Sequence, residues 1–380
     1  MIYFDNSATT KPYEEVIDSF VKVSTEYFGN PSSLHNIGGK AEQLLTQARS
    51  QVARLLNVKN SEIYFTSGGT EGNNLAIKGA ALTYRGRGRH IITTSIEHPS
   101  VSEAINQLEQ LGFNVTYVPV DLNGRVNAKE VEKAIRSDTI LVSVMHINNE
   151  VGTVQPIKEI GMMLKKYPKI LFHVDHVQGA GKVPLNFYEC GIDLCTISGH
   201  KFHGLKGTGA LFIRDGVRIS PLLSGGNQEL NIRSGTENVA GMVAMAKALR
   251  LTLQKRETGI HQMEAIKDTL RKELEKIDGV KVHTPKEGSA PHILNFSVRR
   301  FKAEVFVHAL EEQDIYVSTT SACSSKKKSP SKTLIAMGVP EEEADSAIRI
   351  SLSYENTMEE ALYAADKIRQ TIKQLGEVMS

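Results

Sequence analysis

The sequence predicts an α/β protein in which a large, mainly parallel sheet precedes a smaller α+β unit. Three observations carry this expectation. From about residue 12 to 250, short apolar runs rich in β-branched residues alternate with helix-like segments, the rhythm of βα units. Several runs are followed directly by polar residues, as at the carboxyl ends of strands in a parallel sheet. Finally, 380 residues exceed what a single small core accommodates.

In chain order, Pro12 suits the first position of a helix running through Val16, Ile17, Phe20, Val21 and Val23. Ile63–Thr66 reads as a strand, which Gly68-Gly69 breaks before Thr70-Glu71-Gly72-Asn73-Asn74 opens a helix. Further strands are expected at His90–Thr94, Val115–Pro119, Ile140–Met145, Ile170–Val174, Leu194–Ser198 and Gly209–Ile213. A helix at Asn238–Leu253 runs on through a charged stretch to about Lys276, a bridge to the second unit. The strands expected there are Val280–His283, Ile293–Ser297, Tyr316–Thr319 and Ile348–Ser353. Ser318–Lys332 is a long Ser, Thr and Lys run around Cys323.

Composition excludes several classes. A net charge of +2 implies neither a nucleic-acid binder nor a membrane-surface protein. No segment approaches the roughly 18 apolar residues of a spanning helix, and no signal peptide is read at the N-terminus. Three cysteines make no disulfide framework, and their spacing makes no zinc site, so no metal is expected. A reducing, cytoplasmic setting fits best. Cys190 and Cys195 lie in or beside an apolar region and are expected to pack as small hydrophobes.

The chemistry is concentrated at strand ends. Thr66-Ser67-Gly68-Gly69-Thr70 sits at a strand-to-helix junction, where backbone N–H groups and the helix N-terminus can receive an anion; an ordinary Gly-rich turn is the alternative. Asp175, after Phe172-His173-Val174, can pair with a pyridinium nitrogen or simply cap a helix. About 26 residues on, Lys201 in Ser198-Gly199-His200-Lys201 can form a Schiff base, although most lysines are surface residues. Ser198 and His200 flank it and can hold a phosphate, while Gln178 can donate to a ring hydroxyl. His98, before Pro99, can stack on an aromatic cofactor and shuttle protons. Asn149 can contact a ligand or stabilise a turn. In Ile348–Ser353 alternation buries Ile348, Ile350 and Leu352 and turns Arg349 to the other face, suited either to a carboxylate or to a surface ion pair. Lys326, Lys327 and Lys328 favour the thiolate of Cys323, on a loop long enough to act as a carrier.

Together these residues resemble the NifS/IscS cysteine desulfurases, which are class V, fold-type I pyridoxal-phosphate (PLP) transferases. The resemblance spans nearly the whole chain. Its landmarks are Tyr3–Thr10, Phe28–Ser33, Phe65–Asn74, Glu97-His98, Asn148–Gly152, Ser198–Lys201, Arg233–Thr236, Ser321–Cys323 and Arg349, in that order. It implies a PLP-binding domain over residues 13–253, with residues 1–12 and 254–380 forming a small domain that carries the cysteine loop. Lys201 would hold PLP, Asp175 its ring nitrogen and Gln178 its hydroxyl, with His98 stacked on the ring. Gly69, Thr70, Ser198 and His200 would take the phosphate, together with Thr236 of the partner subunit in a homodimer. Asn149 would contact the PLP ring hydroxyl or the substrate, Arg349 would bind the carboxylate of L-cysteine, and Cys323 would accept its sulfur as a persulfide for transfer to an acceptor protein of iron–sulfur cluster assembly or tRNA thiolation. Other class V reactions, such as selenocysteine lyase, and a PLP-bound scaffold without chemistry are the alternatives. Two positions depart from the family pattern: His176 stands where a small residue is usual, and Thr320 where glycine is common.

Overall fold

Buried apolar runs and the helices between them assemble three sheets, one of only two strands, and two principal cores. The structure, a computed structural model, describes residues 1–299, 301–319 and 330–379. Its strands are β1 (Ile2–Tyr3), β2 (Ile63–Thr66), β3 (His90–Thr94), β4 (Asn114–Val118), β5 (Thr139–Met145), β6 (Leu171–Asp175), β7 (Leu194–Ser198) and β8 (Gly209–Ile213). They continue with β9 (Val280–Val282), β10 (Ile293–Val298), β11 (Ile315–Tyr316), β12 (Ser318–Thr319) and β13 (Ala347–Ser351). The principal sheet has the order β2-β8-β7-β6-β5-β3-β4. Strands β3 to β7 pair in parallel, whereas β8 runs antiparallel to both β2 and β7. Parallel strands covered on both faces must be apolar on both, and every residue of β3, β5 and β7 is buried.

Helices α1 (Glu14–Glu26), α2 (Asn36–Leu55), α3 (Gly69–Tyr84), α4 (Pro99–Gln110), α5 (Ala128–Lys133) and α6 (Ile157–Leu164) belong to this first part of the chain. Helix α7 (Val239–Leu274) follows as a single element of 36 residues. Its first half places Met245, Ala248 and Leu249 in the core with Val174 and Phe202. Its second half places Ile266, Leu270 and Leu274 against Phe296, Ile348 and Ile350, the core under the antiparallel sheet β12-β13-β10-β9. One helix therefore belongs to both cores. Each large apolar side chain buried there contributes about 1.5–3 kcal/mol. Helices α8 (Ala303–Glu311), α9 (Lys332–Ala336), α10 (Glu341–Asp345) and α11 (Met358–Met379) complete the fold.

Two sequence expectations are corrected. The first helix begins at Glu14 rather than at Pro12. Tyr13 is held extended as its N-cap, with its amide donating to His203 O at 3.2 Å, so the preceding residues are tied to the lysine-bearing segment. The expected strand Tyr316–Thr319 is two short strands, because β11 pairs with β1 and β12 with β13. Strands β1 and β11 form a two-stranded sheet of their own, and the donations of Ser351 N to Phe4 O and of Asn6 N to Ser351 O bring the N-terminus to β13. No helix among the described residues is long and apolar enough to cross a membrane.

Candidate active site

Parallel strands end on one side of the sheet, and this edge is where an α/β fold collects functional groups. Asp175 is the last residue of β6. Lys201 lies three residues beyond β7, on the turn Gly199–Lys201. The Asp175 carboxylate is buried and oriented from two sides: Val177 N donates to Oδ1 at 3.0 Å and Asn73 Nδ2 to Oδ2 at 2.8 Å. The cap-like bond to Val177 thus exists, and the second oxygen has a different partner. Lys201 Nζ donates to Ser7 O at 2.5 Å and to Ala8 O at 2.8 Å, so the N-terminal segment closes over the lysine. Gln178 Nε2 also donates to Ser7 O, at 3.1 Å, and leaves its buried Oε1 without a partner.

The junction between β2 and α3 forms the cradle expected from its glycines. Gly68 has φ +149°, a conformation an L side chain rarely adopts, and a Cβ on Gly69 would stand 3.0 Å from Val177 Cγ2. The amides of the first turn of α3 face a cavity of about 440 Å³ lined by Gly69, Thr70, Ser198, His200 and Lys206. Ser198 Oγ is buried without a partner. His200 Nδ1 meets Thr9 Oγ1 at 3.2 Å, and burial, reinforced by Lys201 and Lys206, pushes its pKa down to about 4. The imidazole is then neutral at physiological pH and meets an anion as a hydrogen-bond donor rather than as a charge.

His98 caps α4 through its ring. Ser100 N donates to Nδ1 at 3.1 Å and Ser100 Oγ lies 2.8 Å from the same atom, which leaves the proton of the neutral ring on Nε2. Burial lowers its pKa, Asp175 opposes that shift, and Lys201 and Arg349 add to it.

Arg349 is the residue whose setting differs most from the surface ion pair weighed on sequence grounds. It is 4% exposed, on the face of β13 opposite Ile348 and Ile350, which are themselves buried. Its NH1 donates to Asn149 O at 2.9 Å and its NH2 to Asp5 Oδ1 at 3.0 Å, while Nε is buried without a partner. The turn-stabilising amide weighed for Asn149 belongs instead to Asn148, whose Oδ1 accepts from Glu150 N and Val151 N at 2.9 Å each. Asn149 itself is partly exposed.

Thr236 is exposed in the segment before α7 and is not among the residues lining the cavity at Ser198. Cys323, Thr320, Ser321 and Lys326–Lys328 lie outside the described residues. Cys190 and Cys195 are free and buried, as expected of packing residues. His176 points its Nδ1 at His146 Nδ1, 2.8 Å away, and meets Phe187 edge-on with ring centroids 6.0 Å apart. No cluster suited to a metal occurs among the described residues. Sequence reasoning missed Asn73, Asp5, Glu150 and Lys182. The first three stand inside quoted landmarks, but their roles depend on distant partners.

The arrangement fits PLP. The glycine cradle and the unpartnered Ser198 hydroxyl match a phosphate, the oriented Asp175 carboxylate matches a ring nitrogen, and Lys201 supplies an amine beside both. Fold and site together define a fold-type I PLP-dependent enzyme. The chain belongs to the aminotransferase class-V family, which it matches over residues 2–363. It is 49% identical to a NifS/IcsS protein homolog of Lactobacillus delbrueckii subsp. bulgaricus, over 99% of this chain and 100% of that one. It is 44% identical to the cysteine desulfurase IscS of Dictyoglomus turgidum, over 99% and 96%. Among solved structures, a NifS-like protein superposes with a TM-score of 0.92 at 40% identity, over 98% of this chain and 99% of that one.

Proposed function

We propose that the protein is a PLP-dependent cysteine desulfurase, which converts L-cysteine to L-alanine and passes the sulfur to an acceptor protein through a persulfide on Cys323. The observation that carries the reading is the convergence of Lys201, Asp175, His98 and Arg349, from four separate segments, at one end of the principal sheet. The two desulfurase-type relatives, matched end to end, support it.

Bound PLP supplies an electron sink for the bonds of the substrate's α-carbon. Lys201 would anchor the cofactor and supply, on Nζ, the base for the substrate's α-proton. Asp175, kept oriented by Asn73 and Val177, would hold the proton at the ring nitrogen. His98, neutral and carrying its proton on Nε2, would lie against the cofactor and could hand a proton to the substrate side. Arg349, pinned by Asn149 O and Asp5, receives the substrate carboxylate with Asn149 beside it. The Cys323 thiolate then attacks the substrate sulfur. The substrate's C–S bond breaks, an S–S bond forms on Cys323, and the carbon skeleton gains protons to become alanine.

In this reading residues 13–253 form the PLP-binding domain, and residues 1–12 with 254–380 the small domain. The active form is a cytoplasmic homodimer in which Thr236 of the partner subunit completes the phosphate site. The acceptor protein serves iron–sulfur cluster assembly or tRNA thiolation, and the lysines at 326–328 suit an acidic surface on it. The test is alanine and sulfide release from L-cysteine with PLP and reductant, comparing wild type with Cys323→Ala. Loss of both products in the variant supports the persulfide route; full activity in the variant overturns it.

A further inference from the structure

A second lysine lies behind Lys201. Lys182 ends the turn that follows Gln178, directly after Gly181, whose φ of +76° and close approach to Thr252 Cγ2 (2.6 Å from a would-be Cβ) hold the turn against α7. Lys182 is 3% exposed, and its Nζ donates to Lys201 O at 2.7 Å. It has no ion-pair partner among the described residues; the charge that acts on it is that of Lys201. The groups that feel its charge, His176, His200, His203 and His292, are imidazoles held below their ordinary pKa chiefly by burial. Tyr354 Oη closes the same turn by donating to Gly181 O at 2.9 Å.

A long amine buried among neutral rings is costly unless it serves something, since a methionine would fill the space without desolvating a cation. What Lys182 touches is the backbone of the residue that must reach PLP.

We propose that Lys182 is a positioning residue for Lys201: its Nζ holds the Lys201 carbonyl, and with it the Gly199–Lys201 turn, from the buried side. Burial and the Lys201 charge push the pKa of Lys182 down to about 7. Either form of the Lys182 amine keeps an N–H for the Lys201 carbonyl, so the hold does not depend on that titration. The inference rests on the reading of Lys201 as the PLP-anchoring lysine.

The test is the rate at which the full-length protein, stripped of PLP, takes PLP up covalently, followed by visible absorbance. Lys182→Met removes the donor to Lys201 O and is expected to slow uptake roughly tenfold, a factor equivalent to about 1.4 kcal/mol. Lys182→Gln keeps an N–H for Lys201 O without the charge; it should restore most of the wild-type rate, and it carries the test if the methionine variant does not fold. An unchanged rate in folded Lys182→Met, or a Lys182→Gln rate well below the wild type, overturns the proposal. Borohydride trapping in the wild type separates the two levels: a PLP-labelled peptide lacking Lys201 would overturn the anchoring reading and this inference with it, whereas a label on Lys201 with an unchanged rate in Lys182→Met overturns only the inference.

Discussion

Asn73 Nδ2 stands 2.8 Å from Asp175 Oδ2, a bond between the first turns of α3 and the end of β6. The same nitrogen lies 2.8 Å from Ser100 Oγ, and Ser100 in turn meets His98 Nδ1 at 2.8 Å. One buried amide therefore joins the carboxylate proposed for the ring nitrogen to the histidine proposed for the ring face.

Replacing Asn73 by alanine leaves a buried Asp175 oxygen without its donor. Loss of a hydrogen bond to a buried charged group costs about 1–3 kcal/mol. The Kd for PLP should rise about tenfold, each 1.4 kcal/mol being a factor of ten, with a lower melting temperature. Asn73→Asp should do worse, because it sets a second carboxylate against Asp175. Absorbance titration with PLP and thermal melting check both, and unchanged PLP affinity in Asn73→Ala would remove the residue from the site.

Arg349 tests substrate capture. With NH1 and NH2 oriented by Asn149 O and Asp5, the guanidinium offers a planar fork that an ammonium cannot imitate. Arg349→Lys is expected to raise KM for L-cysteine by roughly tenfold or more while PLP content stays near one per chain. A variant that keeps its KM and loses only stability would reduce Arg349 to a structural partner of Asp5.

Glu150 links Asn149's turn to the chain just after the cysteine segment. Its carboxylate accepts from Ser331 Oγ and, at 3.1 Å, from Thr333 Oγ1. Burial raises its pKa, and the two hydroxyls and Arg349 oppose that shift. Ser331→Ala removes a donor from a buried carboxylate and the side-chain cap of α9. A loss of about 1–3 kcal/mol is expected in denaturant unfolding, together with slower persulfide formation on Cys323, read by alkylation and mass spectrometry. Persulfide formation at the wild-type rate would show that this anchor does not serve the cysteine.

The sequence exposed the main features of both fold and site because their causes are local. Strands β3, β7 and β8 coincide with their expected bounds, since unbroken β-branched and apolar runs leave little choice of boundary. Gly68-Gly69, Asp175 and Lys201 are legible because each stands within three residues of the end of such a run. What sequence could not reveal depends on long-range closure. Asp5 meets Arg349 across 344 positions, and Lys201 meets Ser7 O across 194. Lys182 looks like any lysine until its burial is known. The first helix starts later than Pro12 suggests, because Pro12 is a good helix starter locally while Tyr13 is held extended by His203, far along the chain.

Glu97, beside His98, gives a stability prediction with a definite sign. As a residue it is only partly buried, yet its Oε2 is enclosed without a partner, and Oε1 accepts from Thr94 Oγ1 at 2.7 Å and Met145 N at 3.0 Å. Burial, with a smaller contribution from Asp175, raises its pKa from 4.5 to about 8 against those two hydrogen bonds. A carboxyl whose folded pKa lies above its unfolded value binds its proton more tightly when folded. Between those two values the folded state holds more protons than the unfolded state, so stability falls as pH rises through the window and stops falling above about 8. Glu97→Gln keeps the acceptor for Met145 N and cannot titrate. Subtracting its unfolding free energy from that of the wild type cancels the other titrating groups. The difference should shift against the wild type by on the order of 1 kcal/mol per pH unit across the window. Denaturant melts at several pH values measure it directly, and a difference that does not vary with pH would mean Glu97 is already ionised in the folded protein, with a water or cation supplying what Oε2 lacks.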